Sequence, residues 1–234
     1  MNYLDSLANL GVGGAHPGGL QLTKAMLKRE QIGPETFVLD IGCGTGQTAA
    51  FIAENYSCSV TAVDNHPLMI EKALKRFKDR NLPVTAICLD IEKLKLDQQF
   101  DMIVAESVLA FTDISLSLAS AIQVLRPSGR LLAVEIVVDS SMSETDRALI
   151  MSFYGFRKLL TEAEWKDRFF QAGFKQIEVD QPIIDPSSIS LDDAQDFHFS
   201  KSKLEEALNL LQEHQELTQA YEDILHYRIF RCSR

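Results

Sequence analysis

The sequence predicts an α/β domain: a mostly parallel sheet with helices on both faces. Three observations carry that reading. Apolar runs alternate with helical patterns along the chain, the order that βαβ units impose. The first run, Val38-Leu39-Asp40-Ile41, breaks into three alternating glycines, Gly42, Gly44 and Gly46, just before a helical pattern. The second run, Ser59 to Val63, closes on Asp64, 18 residues after Gly46.

Taken in order, strands are expected near residues 37–41, 59–64, 84–88, 100–105, 130–138, 175–180 and 226–232. Each is a short apolar or β-branched run bounded by turn-forming residues. Helices fill the gaps at about 20–30, 46–56, 67–79 and 114–125. Another opens at Thr161 with Glu164 as its capping-box partner and stops at Gly173. Three stretches exceed this alternation, and specificity usually lives in such additions. Residues 1–35 begin with five glycines in the nine positions from Gly11 to Gly19, which suits a mobile lid. Residues 139–160 carry Met142, Met151, Phe153, Tyr154 and Phe156 at helical spacings. Residues 181–224 hold a long amphipathic helix with Leu204, Leu208, Leu211, Leu217, Tyr221 and Ile224 along one face. Such a face packs on its own domain or on a twin subunit in a homodimer.

Composition narrows the function. The 234 residues, 46% apolar, suit one well-packed domain with additions. A net charge of −10, from 33 acidic against 23 basic residues, argues against nucleic acid, whose phosphates are met by clustered Lys and Arg. The one dense basic stretch, Lys72 to Arg80, is diluted by Asp79 and reads as a solvated helix face. No run approaches the roughly 18 apolar residues that cross a bilayer, and Met1-Asn2-Tyr3-Leu4-Asp5 lacks the pattern of a secretory leader, so no membrane association and a cytoplasmic location are expected. The four cysteines, at 43, 58, 88 and 232, show no metal-like spacing and read as buried thiols. His66, His198, His214 and His226 form no ligand-like group, so no metal is expected.

The glycine turn supplies the first functional reading. Glycines there let the backbone take positive φ and leave no Cβ between main chain and ligand. The N–H groups that open the next helix then face that ligand. The position of Asp64 is near the spacing of about 20 residues at which a second-strand carboxylate meets a nucleoside ribose.

On these residues the chain resembles the class I S-adenosylmethionine-dependent methyltransferases. Asp40 matches the family's acidic residue two positions before the first glycine, and Asp64 its ribose carboxylate. Asp90, in Ile87-Cys88-Leu89-Asp90-Ile91, falls where the family reads the adenine amino group. Phe100-Asp101-Met102-Ile103-Val104-Ala105-Glu106 matches the fourth strand, and Leu125-Arg126-Pro127-Ser128-Gly129-Arg130 through Glu135 the fifth. The resemblance covers residues 36–138, read as the cofactor-binding core. It implies a Rossmann-like fold of seven strands with an antiparallel final strand, S-adenosyl-L-methionine as cofactor, and methyl transfer by direct displacement. The cofactor residues it implies are Asp40, Gly42, Cys43, Gly44, Gly46, Asp64, Asn65, Met69, Asp90, Ile91 and Glu106. Asn65 departs from the family, which commonly places a large apolar side chain on the adenine ring there; Met69 or Ile91 is the substitute. The stretch from Thr161 to Phe174 also resembles small-molecule methyltransferases of the quinone-biosynthesis type, so the expected acceptor is a small molecule.

A sulfonium methyl is already electrophilic, so the protein's main tasks are alignment and exclusion of water. A base is needed only if the acceptor must lose a proton. Candidates are His16, Glu106, Glu135 and Tyr154, in that order. His16 before Pro17 equally suits capping the next helix, and Glu135, inside an apolar strand, suits pairing in the core. Phe153, Tyr154 and Phe156 are expected to line the acceptor pocket.

Two other functions fit parts of the pattern. Tyr154 and Lys158, with Ser140 and Ser141 upstream, have the Tyr-x-x-x-Lys spacing of short-chain NAD(P)-dependent oxidoreductases, but the glycine pattern differs and Gly155 interrupts the motif. A non-catalytic S-adenosylmethionine-binding module would carry the same cofactor residues.

Overall fold

The structure, a computed structural model, describes residues 16–181 and 204–234. Seven strands form one sheet: β1 (Phe37–Ile41), β2 (Ser59–Asp64), β3 (Thr85–Cys88), β4 (Phe100–Glu106), β5 (Leu125–Val138), β6 (Gln176–Asp180) and β7 (Leu225–Ser233). Their order is β3-β2-β1-β4-β5-β7-β6. The first five pair in parallel, and β7 runs antiparallel between β5 and β6. This is the Rossmann-like arrangement with an antiparallel final strand. The chain reverses its direction of travel between β1 and β4, and such a switch point opens a crevice at the strands' carboxyl ends.

Alternation along each strand sends side chains to two faces. Helices α1 (Gly19–Leu27), α2 (Gln47–Tyr56) and α3 (Pro67–Asp79) cover one face, where Leu22, Met26, Ile52 and Phe77 pack with Val38, Ala62 and Val104. Helices α4 (Ile114–Val124), α5 (Glu144–Tyr154) and α6 (Glu162–Gln171) cover the other, where Leu118, Ile150, Trp165 and Phe169 pack with Leu39, Ile103, Ala133 and Phe230. Each large apolar side chain so buried contributes roughly 1.5–3 kcal/mol. The Trp165 indole N–H is not stranded in this core, because it donates to the Ile136 carbonyl at 3.0 Å. Helix α7 (Leu204–Ala220) docks on α5: Tyr154 and His214 share a 2.9 Å hydrogen bond, and Tyr221 donates to Asp146 at 2.7 Å.

The expected elements are present, with instructive differences. The capping box of Thr161 and Glu164 forms, and Gly173 turns at φ 107 after it. The fifth strand begins at Leu125 rather than at 130, because Leu125 already pairs with Phe100 across an irregularity in the ladder. Cys88 corrects the expectation of four buried thiols: β3 is the outermost strand and leaves it exposed, whereas Cys43, Cys58 and Cys232 are buried. Gly11 to Ala15 of the lid region, residues 182–203 of the long insertion with His198, and the side chains of Leu204, Leu208 and Leu211 lie outside the described residues. Among the described residues, no helix is long and apolar enough to cross a membrane.

Candidate active site

The glycine turn joins β1 to α2 with Gly42, Gly44 and Gly46 all at positive φ. Two of these glycines are required by packing. A Cβ at Gly42 would run into Val108, and one at Gly46 would stand 2.5 Å from the Phe77 ring. Gly44 differs, because a Cβ there meets nothing within 4 Å and would project into open space. It is the position where a ligand can lie on the main chain. Cys43, beside it, is buried, and burial pushes its thiol well up, away from the thiolate form.

Asp64, at the end of β2, fixes this turn. Its Oδ2 accepts from the Gly44 N–H at 2.9 Å and its Oδ1 from the His66 N–H at 2.8 Å. Burial raises the Asp64 pKa while these two bonds oppose the rise. Each oxygen keeps a further lone pair. His66 then caps α3, its ring nitrogen accepting from Leu68 N–H at 3.3 Å. Asn65 is exposed and Met69 half-buried at the start of the same helix.

Asp40 lies one residue before the end of β1, on the face covered by α1 to α3, in register with Ala62 and Val104. It is buried, and its Oδ2 has no hydrogen-bond partner. Burial raises its pKa well above the usual carboxylate range, and the neighbouring carboxylates of Glu106 and Asp64 push it further.

Glu106 ends β4 on that same face. Its Oε1 accepts from Thr23 and its Oε2 from Thr48, both at 2.6 Å. His16 Nε2 lies 3.6 Å from Oε2. The His16 ring therefore does not cap α1: Gly18 occupies the N-cap, with no side-chain bond, while His16 turns inward to Glu106. The structure thus gathers His16, Asp40, Asp64 and Glu106 at one end of the sheet. The sequence reading missed Thr23 and Thr48. The one available signal for Thr23 is a hydroxyl set among Leu22, Met26 and Leu27 on a buried helix face.

The remaining candidates are held by other contacts. Asp90 Oδ1 accepts from Glu92 N–H at 3.0 Å and caps a short turn, Ile91–Lys93, whose Ile91 is buried in the core. Glu135 is wholly buried; its Oε1 accepts from the Leu109 N–H at 2.9 Å, and burial raises its pKa to about 8. Tyr154 is the last residue of α5 and stacks on Phe156, which meets Phe111 at 4.8 Å between ring centres. Gly155 ends that helix in the left-handed conformation, so Tyr154 and Lys158 do not share a helix as the oxidoreductase motif requires.

A glycine turn at the switch point, a carboxylate on the second strand and a buried acidic residue on the first define a protein that holds a small nucleoside-type cofactor in a Rossmann-like sheet. Comparison with known proteins makes this specific. A family model described as a methyltransferase domain matches residues 38–129. The uncharacterized methyltransferase YodH of Bacillus subtilis (strain 168) is 35% identical over 229 residues, which cover 97% of each chain. The chain belongs to the class I S-adenosylmethionine-dependent methyltransferase family. The fold is shared with phosphoethanolamine N-methyltransferase 2 of Haemonchus contortus, solved in complex with S-adenosyl-L-methionine, at a TM-score of 0.74 and 21% identity, over 99% of this chain and 56% of that one. It is shared also with MccD protein, at a TM-score of 0.72 and 14% identity, over 94% and 100% of the two chains.

Proposed function

We propose that this methyltransferase transfers the methyl group of S-adenosyl-L-methionine to a small, partly apolar molecule, with Asp40, Gly44, Asp64 and Glu106 as the core of its cofactor site. The observation that carries this is the unpartnered, buried Asp40 Oδ2. The charged neighbours that act on it are two further carboxylates, Glu106 and Asp64. Such a set suits a cationic ligand and opposes the phosphates of a dinucleotide.

Within this reading Asp64, preset by Gly44 and His66, accepts from the ribose hydroxyls with the lone pairs it has left. Asp40 and Glu106 meet the cofactor's amino group. Asp90 and the neighbouring main chain take the adenine edge, with the half-buried Met69 against the ring. Bound there, S-adenosyl-L-methionine supplies a methyl group activated on a sulfonium. The chain's own contribution is position and dryness, which can lower a barrier by about 7–11 kcal/mol. Where the acceptor must lose a proton, His16 is the group beside Glu106 able to take it.

The aromatic series Phe111, Phe156, Tyr154 and Phe153 runs from the turn after β4 to a groove of about 350 Å³ that Leu149, Phe153, Leu217 and Tyr221 help to line. It supports an acceptor with an apolar part. Net charge −10 supports a small molecule rather than nucleic acid, and a cytoplasmic enzyme fits the same picture. The docking of α7 on α5 within one chain leaves its exposed side for a second copy in a homodimer.

The test is incubation with methyl-labelled S-adenosyl-L-methionine and pools of phenols, amines and thiols, read by mass spectrometry. A labelled small product supports the enzyme reading. Cofactor binding with no transfer to any pool would leave the non-catalytic module in its place.

A further inference from the structure

We propose that Thr23 is a positioning residue that sets Glu106 for the cofactor and ties the docking of α1 to cofactor occupancy. This rests on the reading that Glu106 belongs to the cofactor site.

Thr23 is wholly buried, and the other buried residues of α1, Leu20, Leu22, Met26 and Leu27, are all apolar. A hydroxyl on such a face is costly unless its hydrogen bonds are made. Its short bond to Glu106 Oε1, 2.6 Å, lies in the range of charge-assisted O–H···O contacts. Its oxygen is also 3.5 Å from the Gly19 carbonyl and 3.5 Å from His16 Nε2. Thr48 makes the matching 2.6 Å bond to Glu106 Oε2 from the first turn of α2.

One carboxylate is therefore gripped by two helices, one before and one after the first strand and its glycine turn. The grip fixes both oxygens of Glu106, and side chains held before a ligand arrives spare it the cost of ordering them. It also fastens the first half of α1, with His16, to the site. The far end of the helix has its own anchor, Glu30, which takes Arg231 at 2.8 Å and Arg130 at 2.7 Å. Thr23 thus governs the end of α1 nearest the ligand. A ligand cation on Glu106 further fixes the carboxylate that Thr23 holds, so cofactor binding is transmitted to α1 through this hydroxyl.

The experiment uses the full chain and S-adenosylhomocysteine as the probe. It combines calorimetric titration with hydrogen exchange over Gly19–Leu27. In the wild type, the probe is expected to slow exchange in this helix about tenfold. Thr23→Ser keeps the hydroxyl and should bind within about twofold of wild type with the slowing intact. Thr23→Val keeps the shape, loses one charge-assisted bond, and should bind about tenfold more weakly with the slowing gone. Thr48→Val should also weaken binding but retain the slowing, because α1 still holds Glu106. A merely structural role for Thr23 would not separate these two variants. Should Thr23→Val not fold, Thr23→Ala is compared with Thr23→Ser by the same two measures. Thr23→Val, or in its place Thr23→Ala, with wild-type affinity and wild-type slowing overturns the inference. A wild type that does not bind the probe overturns the cofactor reading and the inference with it.

Discussion

Replacing Asp40 by asparagine should move stability and cofactor affinity in opposite directions. In the ligand-free protein Asp40 is buried with Oδ2 unpartnered, and Glu106 and Asp64 add like-charge repulsion. Leaving one buried acceptor unmet costs about 1–3 kcal/mol, and an amide of the same shape cannot ionise and can donate toward a neighbouring carboxylate. Asp40→Asn should therefore raise stability by about 1–2 kcal/mol, or roughly 2–4 °C per kcal/mol for a chain of this size. With the cofactor bound, the balance reverses. A buried carboxylate that loses its charge opposite a cation costs about 3–5 kcal/mol, which is at least about a hundredfold in affinity. Thermal unfolding without ligand and calorimetric titration with S-adenosylhomocysteine measure the two halves. A variant that melts below wild type and binds the product within threefold would refute the reasoning, because Asp40 would then be an ordinary structural carboxylate.

Other consequences follow from the same geometry. Gly46→Ala should cost about 3 kcal/mol by urea denaturation, since its Cβ would stand 2.5 Å from Phe77 at a φ of 77. Gly44→Ala, in open space, should cost only about 1–2 kcal/mol yet weaken S-adenosylhomocysteine binding at least about tenfold by filling the cradle. Glu135 titrates at about 8 in the fold, against about 4.3 when unfolded, so the native state holds a proton that the unfolded chain has released between those values. Its stabilising contribution is full below pH 4.3 or so and is lost as pH rises toward 8. The stability of wild type relative to Glu135→Gln should fall across that window by several kcal/mol, about 1.4 kcal/mol per pH unit at most, as denaturation at a series of pH values would show. Tyr154→Phe loses the bond to His214 and should cost about 1 kcal/mol of stability while leaving product affinity unchanged; a loss of affinity beyond threefold would bring Tyr154 into the cofactor site.

Much of this architecture was legible in local sequence, because local chemistry dictates it. Asp40, the three glycines and Asp64 announce themselves through a strand, a turn and a second strand end, all within 25 residues. The Thr161 and Glu164 pair announces its helix in the same way. Contacts between distant parts of the chain were not legible. Thr23 and Glu106 stand 83 positions apart, and Tyr154 and His214 60 apart, with no short-range pattern linking either pair. Arg126-Pro127-Ser128-Gly129 reads as a turn, yet its neighbour Leu125 pairs with Phe100, because the ladder tolerates an irregularity that sequence does not show. Cys88 follows an apolar run, and only its place on the outermost strand exposes it. The sequence offers two readings of His16, cap or site residue; only the fold shows that Gly18 holds the N-cap and that the His16 ring lies beside Glu106.

The central claim is that the acidic crevice at the end of β1 and β4 holds S-adenosyl-L-methionine. Its most direct test is calorimetric titration of the full chain with S-adenosyl-L-methionine, S-adenosylhomocysteine and NADH. The geometry predicts binding of the first two at micromolar concentration and none of NADH, whose phosphates would face Asp40, Asp64 and Glu106. Binding of NADH alone would contradict it.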